Sequence, residues 1–587
     1  LMTDLPKTKP DRIAFSRALK NHVAVIYPDV DGDILVSQII DAFWPEGRAR
    51  RKRARTPGNG MWSQGDALLI TYGNSLVDGK HKPLDLLNDF LRRYMKGTVN
   101  GVHVLPFFPF TSDDGFAVTD FRAVNPQLGD WSDINRIADE FKLMSDLVLN
   151  HVSSQGQWFN AYRQGQAPYD RFFFEASPDD DLDMVVRPRT TPLLQEVETS
   201  NGPRHVWCTF SHDQIDLDFR NPEVLLEFLR IIRLHVDNGV QIIRLDAVAF
   251  LWKQAGSPSI HLPQTHEVVK LIRTLCNFAV EPVILLTETN VPKAENLSYF
   301  GKRDEAHVIY NFPLPPLILH AMMSGTASHL VKWQRSMPPA PLGCAYLNFT
   351  ASHDGIGMRP AEGLLSEQDQ SAVIDTVRKI GGLVSMRTLP DGAEAPYELN
   401  TTFFDAMSQT FEGPDDLKLE RFICSQTIVM SLEGIPAFYI HSLLATPNDH
   451  DSVEKRGMNR AINRHRWDYS ALRARLAQED TDQFYVMQHL RDRLKLRQKQ
   501  SAFHPNATQF TINTLDDRVF GLWRQSLDRK QSIFALHNVS GQAVTLPETS
   551  LNLIADEDWT DLLSGAAVTM GEVTLAPYQC MWISNAA

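Results

Sequence analysis

The stretch Gly239-Val240-Gln241-Ile242-Ile243-Arg244-Leu245-Asp246-Ala247 is a short apolar, β-branched run that ends on a charged pair. It reads as a buried strand, because a strand covered on both faces has no polar side to alternate with. Seven other runs share its character: Leu68–Tyr72, Val102–Pro106, Leu143–Leu149, Val283–Thr287, Val308–Tyr310, Ala345–Phe349 and Ile435–Tyr439. Amphipathic helical stretches alternate with them, the pattern of a parallel sheet wrapped by helices. Eight such strands close a barrel, in which chemistry sits at the carboxyl ends of the strands. The expected fold class is α/β: a (β/α)8 TIM barrel with inserted subdomains after strands 3 and 7, an N-terminal helical extension and a C-terminal antiparallel β domain.

Gaps in the strand spacing set the expected domains. Residues 1–61 form a helical extension, and 62–151 with 214–505 form the catalytic barrel. Residues 152–213, rich in Phe, Trp, Asp, Pro and Arg, form an inserted domain B, and 358–421 form a subdomain between strands 7 and 8. Within the latter, Leu389-Pro390-Asp391-Gly392-Ala393-Glu394-Ala395-Pro396-Tyr397 reads as a loop that can close over a ligand. From residue 506 the text changes to short alternating stretches, Phe510–Ile512, Val519–Trp523, Ile533–His537 and Cys580–Ser584, typical of a small antiparallel β domain.

At 587 residues the chain exceeds what one core fills, so satellites around a large catalytic domain are expected. No stretch reaches the ~18 uninterrupted apolar residues of a membrane helix. Leu1 to Pro10 are polar and charged where a signal peptide is apolar, so a cytoplasmic location is expected. The five cysteines are widely spaced with no CxxC pair, suggesting neither a disulfide frame nor a zinc site. A net charge of −13 disfavours nucleic acid as a partner. The basic run Arg48, Arg50, Arg51, Lys52, Arg53, Arg55 reads as a solvated helix face or a contact with the protein's own acidic surface. Expected partners are small molecules, with no membrane, cofactor or metal.

Polar residues cluster where a barrel would use them. The third strand runs into Asn150-His151, the fourth ends in Arg244-Leu-Asp246, the fifth in Thr287-Glu288, and Ser352-His353-Asp354 follows the seventh. Breaking a glycosidic bond with retention needs one carboxylate to attack the anomeric carbon and a second, protonated, to assist the leaving oxygen. Arg244 shares the strand face of Asp246 and can keep it ionised, which suits a nucleophile. Glu288 has no cation nearby in sequence and suits the acid/base role. Asp354 is then the transition-state stabiliser, with His151 and His353 as donors to sugar hydroxyls.

Asp146 to His151, Gly239 to Ala247, Leu285-Leu-Thr-Glu288 and Ser352-His353-Asp354, in this order, resemble the four ordered blocks of the α-amylase superfamily. The resemblance implies the same roles for Asp246, Glu288 and Asp354. Further strings are similar to the sucrose phosphorylase subgroup: Leu105-Pro-Phe-Phe-Pro109-Phe, Ser112-Asp113-Asp114-Gly115-Phe116, Arg187-Pro188-Arg189, His353-Asp354-Gly355-Ile-Gly357 and Asn459-Arg460-Ala-Ile-Asn463-Arg464. That resemblance implies that Asp113 and Arg460 grip the far end of the glucose, with Arg244 also in the substrate set and Phe116 as an apolar platform. Phosphate needs fixed cations and hydroxyl donors. Arg187, Arg189 and Tyr397 are the expected set, Arg189 first among them.

Sucrose phosphorylases carry Leu-Asp-Leu-Tyr-Gln where this chain reads Glu394-Ala395-Pro396-Tyr397-Glu398, so the acceptor contacts of sucrose are altered. The chain looks closer to the glucosylglycerol and glucosylglycerate phosphorylases of the same subgroup. Carboxylates at Glu394 and Glu398 would repel glycerate and accept hydrogen bonds from glycerol, with Ala395 beside them. The expected reaction is therefore glucosylglycerol plus phosphate to α-D-glucose 1-phosphate and glycerol, by double displacement. Glycerate stays open as the alternative acceptor, since Arg187 can reach a carboxylate. Sucrose phosphorolysis, or a sucrose-type α-glucosidase or transglucosylase, is the second alternative. A non-catalytic interaction subunit is disfavoured by the retained carboxylates.

Overall fold

The structure is a computed structural model that describes residues 9–44, 61–278, 283–389, 392–551, 558–568 and 571–586. The basic run Arg48 to Arg55 lies outside the described residues, as do Pro390 and Asp391.

Eight parallel strands close the barrel: β1 (Leu68–Thr71), β2 (Gly101–Val104), β3 (Lys142–Val148), β4 (Val240–Asp246), β5 (Ile284–Thr287), β6 (Val308–Tyr310), β7 (Ala345–Asn348) and β8 (Ile435–Tyr439). They lie in chain order, and β8 closes on β1 with Leu68 opposite Ala437. Every residue of β3 is buried, and its charged members are paired, Lys142 with Asp66 at 2.5 Å and Asp146 with Arg244. β2 stops short of the expected Pro106, whose ring nitrogen carries no N–H to continue a ladder. The β3–β4 register sets Asp146 beside Arg244 and Val148 beside Asp246. The β4–β5 register pairs Thr287 with Leu245, leaving Glu288 one step beyond the sheet.

Helices Lys9–Ile26 and Gly32–Phe43 pack outside the barrel on helices Pro263–Phe278 and Pro222–Asp237. Asp31 caps the second, accepting from the amides of Asp33 and Ile34. Phe15, Leu19, Val23, Leu35, Ile39 and Phe43 are buried in the main core, each worth about 1.5–3 kcal/mol of burial. His22 adds polar contacts, to Glu267 at 2.6 Å and Thr274 at 2.9 Å.

The C-terminal sheet is antiparallel, ordered Thr508–Thr511, Val519–Gln525, Ser532–Asn538, Cys580–Ser584, Trp559–Asp561, Ala567–Val568. It is fixed to the barrel at helix Lys418–Ser431, where Trp582 Nε1 donates to Ser431 Oγ (2.9 Å) and Arg524 to the Ser431 carbonyl (2.8 Å). Between β3 and β4 the chain forms the hairpin Leu194–Thr199/Gly202–Trp207 over a small core of Phe174, Val185, Leu193 and Trp207.

One expectation changes. The segment read as a loop at 389–397 is only partly one, because Glu394–Asn400 is a strand paired antiparallel with Leu383–Thr388 and on its other edge with Ile356–Gly357. At the end of this pair the Leu389 amide donates to the Ala393 carbonyl at 2.7 Å. Gly355 permits the close approach of the turn after β7 to this strand: a Cβ there would lie 2.8 Å from the Leu399 carbonyl oxygen.

Candidate active site

The carboxyl ends of β4 and β5, the turn after β7 and both insertions wall one cavity of about 560 Å3. Asp246, Glu288 and Asp354 all reach it. Asp246 ends β4, and the next residue, Ala247, takes φ +52°. A left-handed non-glycine is strained backbone, and here it turns the Ala247 amide toward Glu288, whose Oε2 accepts from it at 3.2 Å. Glu288 is set from below by its own amide on the Leu245 carbonyl, 3.0 Å. The two carboxyl groups thus flank a single backbone turn.

Beneath them lies an ion network. Arg244 donates to Asp246 at 2.6 Å, to the Tyr310 hydroxyl at 3.0 Å, and also to Asp146. Burial raises Asp146, but His103 at 2.6 Å and Arg244 overcome it and hold its carboxyl at about 2. Burial pushes Asp246 well above the carboxylate range; Arg244 opposes this and the nearby Glu288 adds to it. Glu288 is raised too, by burial and then by Asp354, against Arg244. Asp354 goes the other way: Arg460 at 2.7 Å and His353 outweigh its burial and keep it ionised.

His353 stacks on Phe116, centroids 4.9 Å apart and planes within 8°. Its Nδ1 is buried with no protein partner, and burial depresses its pKa to about 3, so it is neutral. His151 is likewise lowered by burial and shares Nε2 with the Phe116 carbonyl (3.1 Å) and Gln214 (3.2 Å). Asp113 reaches the cavity from a turn in which it and Asp114 both adopt positive φ. Asp114 pins that turn through Arg456 and through Arg464, the latter at 2.6 Å.

Arg187, Arg189 and Tyr397 also line the cavity. Arg189 lies 5.1 Å from the Tyr397 ring centre and 5.7 Å from that of Phe210, with no ion-pair partner among the described residues. Such cation–π contacts orient a guanidinium without neutralising it.

Two groups of residues sit differently from expectation. Arg244 does not reach the cavity wall; it lies behind Asp246, its donors spent on carboxylates and a phenol. Glu394, Ala395 and Glu398 do not line the cavity either. Glu398 is turned into a buried two-point ion pair with Arg460, 2.8 and 3.0 Å, and accepts from Asn400 at 2.9 Å, while Glu394 is exposed. In their place the wall carries Arg359 and Arg387, both on the insertion after β7, and Gln214, the residue directly after the other insertion. The motif reading missed them because they fall outside the strand-end blocks, although Arg359 follows the His353–Gly357 string by two residues.

Asn150, which resembles a calcium-binding residue of some amylases, meets a lysine instead. Lys253 Nζ lies 2.8 Å from Asn150 Oδ1, 3.1 Å from Asp216 and 2.9 Å from the Phe250 carbonyl. A fixed ammonium ion supplies a positive charge to this oxygen cage.

Barrel and carboxylates together define a glycosyl-transferring enzyme of α-amylase architecture. Residues 92–351 match the family model of the α-amylase catalytic domain. The chain is 43% identical over 530 residues to the glucosylglycerate phosphorylase of Spirochaeta thermophila, covering 88% of this chain and 90% of that one. It is 29% identical over 446 residues to the glucosylglycerol phosphorylase of Marinobacter adhaerens, covering 73% and 86%. Its fold superposes on the crystal structure of sucrose 6F-phosphate phosphorylase from Thermoanaerobacter thermosaccharolyticum with a TM-score of 0.71 at 24% identity, over 87% of this chain and 98% of that one. The chain belongs to the sucrose phosphorylase subgroup of the α-amylase superfamily, and it is a glycoside phosphorylase that acts on small-molecule substrates. Among the described residues no helix is long and apolar enough to cross a membrane.

Proposed function

We propose that the enzyme transfers glucose between glycerate and phosphate: glucosylglycerate plus phosphate to α-D-glucose 1-phosphate plus glycerate, with retention. The observation that carries the choice of acceptor is the charge on the cavity wall. Arg359 and Arg387 stand there, whereas the carboxylates that argued for glycerol are elsewhere: Glu398 is neutralised by Arg460 and Glu394 is exposed. Arg387 is held by Glu362 at 2.7 Å yet keeps a buried Nε with no partner, and Arg359 has no ion pair among the described residues. A carboxylate accepts two parallel N–H bonds from such a fork. The 43% identical relative, whose name includes glycerate, supports the same reading.

In the first half-reaction Asp246 attacks the anomeric carbon while Glu288 gives its proton to the departing glycerate oxygen. The shared proton of the pair rests on Glu288 because Arg244 sits on Asp246. A β-glucosyl ester on Asp246 results. Phosphate then enters against Arg187, Arg189 and the Tyr397 hydroxyl, and its oxygen attacks the same carbon as Glu288 takes back a proton. Asp354, kept ionised by Arg460, faces the positive charge that develops on the ring. Asp113, Phe116, His151, His353 and Arg460 enclose the glucose, closing the site to one residue of sugar.

The expected domain boundaries at 61, 151, 213, 358, 421 and 505 remain our division of the chain. The two insertions act as covers of the barrel mouth. The five buried cysteines carry no disulfide, and phosphate is a cytosolic co-substrate; both support a cytoplasmic location.

The deciding experiment measures α-glucose 1-phosphate formation from glucosylglycerate, glucosylglycerol and sucrose, with and without phosphate. Glucosylglycerate should give the highest kcat/KM, and no donor should be consumed at speed without phosphate. A clear preference for glucosylglycerol would overturn the acceptor assignment.

A further inference from the structure

We propose that His320, His329 and Asp369 form a zinc site that ties the insertion after β7 to the barrel. His320 lies on helix Leu314–Ser324, His329 on helix Ser328–Ser336 and Asp369 on helix Glu367–Lys379, and their ligand atoms all fall within 4.8 Å of one another. The first two helices follow β6, and the third belongs to the insertion. The three residues are too far apart in the chain to read as a ligand motif, and only the fold brings them together.

The distances fit a shared ion. His320 Nε2 is 3.2 Å from Asp369 Oδ1, and His329 Nε2 is 3.1 Å from Oδ2. Elsewhere the pairs His22–Glu267, His103–Asp146 and His465–Asp449 close to 2.6 Å and His266–Glu305 to 2.7 Å, while His261–Glu295 stands at 3.1 Å and His205–Glu196 at 3.4 Å. Zinc bonds of about 2.0–2.2 Å to nitrogen and oxygen set a tetrahedral edge of about 3.3–3.4 Å. The observed separations sit near that edge.

The surroundings suit ligation. His320 is 2% exposed, so its ring is held within the fold with Nε2 facing Asp369. Its other nitrogen, Nδ1, faces Ser324 Oγ at 3.5 Å, where an N–H can be oriented. Ser366 donates to Asp369 at 2.6 Å and holds the carboxylate at the start of its helix. The rings of His320 and His329 stand at 82°, presenting their nitrogens from different directions. Two imidazoles and one carboxylate leave a fourth position for water on the side where His329 and Asp369 remain partly exposed. Borderline nitrogen and oxygen donors of this number suit Zn2+ better than Mg2+ or Ca2+, which want six or more oxygens.

Such an ion would brace the wall of the cavity. Helix Glu367–Lys379 runs directly into the hairpin Leu383–Thr388/Glu394–Asn400, which presents Arg387 and Tyr397.

The test strips the full-length enzyme with a chelator, then measures Zn2+ uptake by titration calorimetry and Tm with and without Zn2+. Wild type should take up one Zn2+ per chain and rise in Tm, and Co2+ in its place should show the absorption of a four-coordinate ion. His329→Ala and His329→Gln, changed at a partly exposed ligand, should bind no Zn2+ and show no Tm response. Their Tm without metal should stay close to that of stripped wild type. No uptake by stripped wild type, or equal uptake by both His329 variants, would overturn the site.

Discussion

Arg460 and Glu398 form a two-point ion pair, Nε to Oε1 at 2.8 Å and Nη2 to Oε2 at 3.0 Å, while the same guanidinium reaches Asp354 at 2.7 Å. One cation thus serves two carboxylates, the buried Glu398 and the partly exposed Asp354. Glu398 is thereby a positioning residue for Arg460. Glu398→Gln keeps the shape and removes the charge, so Arg460 shifts toward Asp354. Hydrogen bonds to charged groups are worth about 1.5–3 kcal/mol, which corresponds to a loss in kcat/KM of about ten- to a hundredfold. Steady-state phosphorolysis of the variant checks this, and unaltered kinetics would refute the positioning role.

The second prediction concerns pH. Asp246 must be ionised and Glu288 protonated, and burial raises both above the ordinary carboxylate range. Activity should therefore fall as pH drops through a value above the usual carboxylate pKa of about 4, and fall again as the pair loses its second proton. Glu288→Gln removes the negative neighbour that raises Asp246. With α-glucosyl fluoride, which needs no acid assistance, this variant should lose the alkaline limb and show its acid limb at lower pH. A profile of kcat/KM against pH that leaves the acid limb in place would exclude the coupling. Asp246→Ala should abolish turnover with either donor.

The barrel was legible because strands buried on both faces leave apolar runs, as β1 shows from Leu68 to Ile70 and β5 from Ile284 to Leu286. The three carboxylates were legible because Asp246 ends β4, Glu288 directly follows β5, and Asp354 closes the Ser352-His353-Asp354 string after β7. Glu398 was misplaced for a different reason. Its partner Arg460 comes 62 residues later, and nothing local marks the pair. The placing of Arg359 and Arg387 depends on how the insertion folds over the barrel, which strand periodicity does not encode. Glu394 to Tyr397 read as loop from the proline and glycine around them, while the pairing of the strand Glu394–Asn400 on both edges is a long-range matter.

Lys253 supplies the third prediction. Its ammonium is buried among Asn150, Asp216 and the Phe250 carbonyl. Burial lowers its pKa and Asp216 opposes that. Lys253→Met removes the cation and leaves Asp216 without it, and breaking one side of a buried pair costs about 3–5 kcal/mol. Thermal and urea unfolding of the variant should show a loss of this order. A change under about 0.5 kcal/mol, the range of ordinary surface substitutions, would mean the ammonium is dispensable.

Arg189 separates the two fates of the glucosyl-enzyme. It stands over Tyr397 and Phe210 with no ion-pair partner among the described residues, so its charge is available to an incoming anion. Water needs no such partner. Arg189→Ala should raise the KM for phosphate by about ten- to a hundredfold, the worth of one charge-assisted contact, and leave slow hydrolysis nearly unchanged. Arg189→Lys keeps the charge but loses the planar fork, so it should restore phosphate use only in part. Both rates are read from one reaction, as α-glucose 1-phosphate against free glucose. If the two products decline together in Arg189→Ala, the residue acts on the glucosyl-enzyme itself and phosphate is held elsewhere.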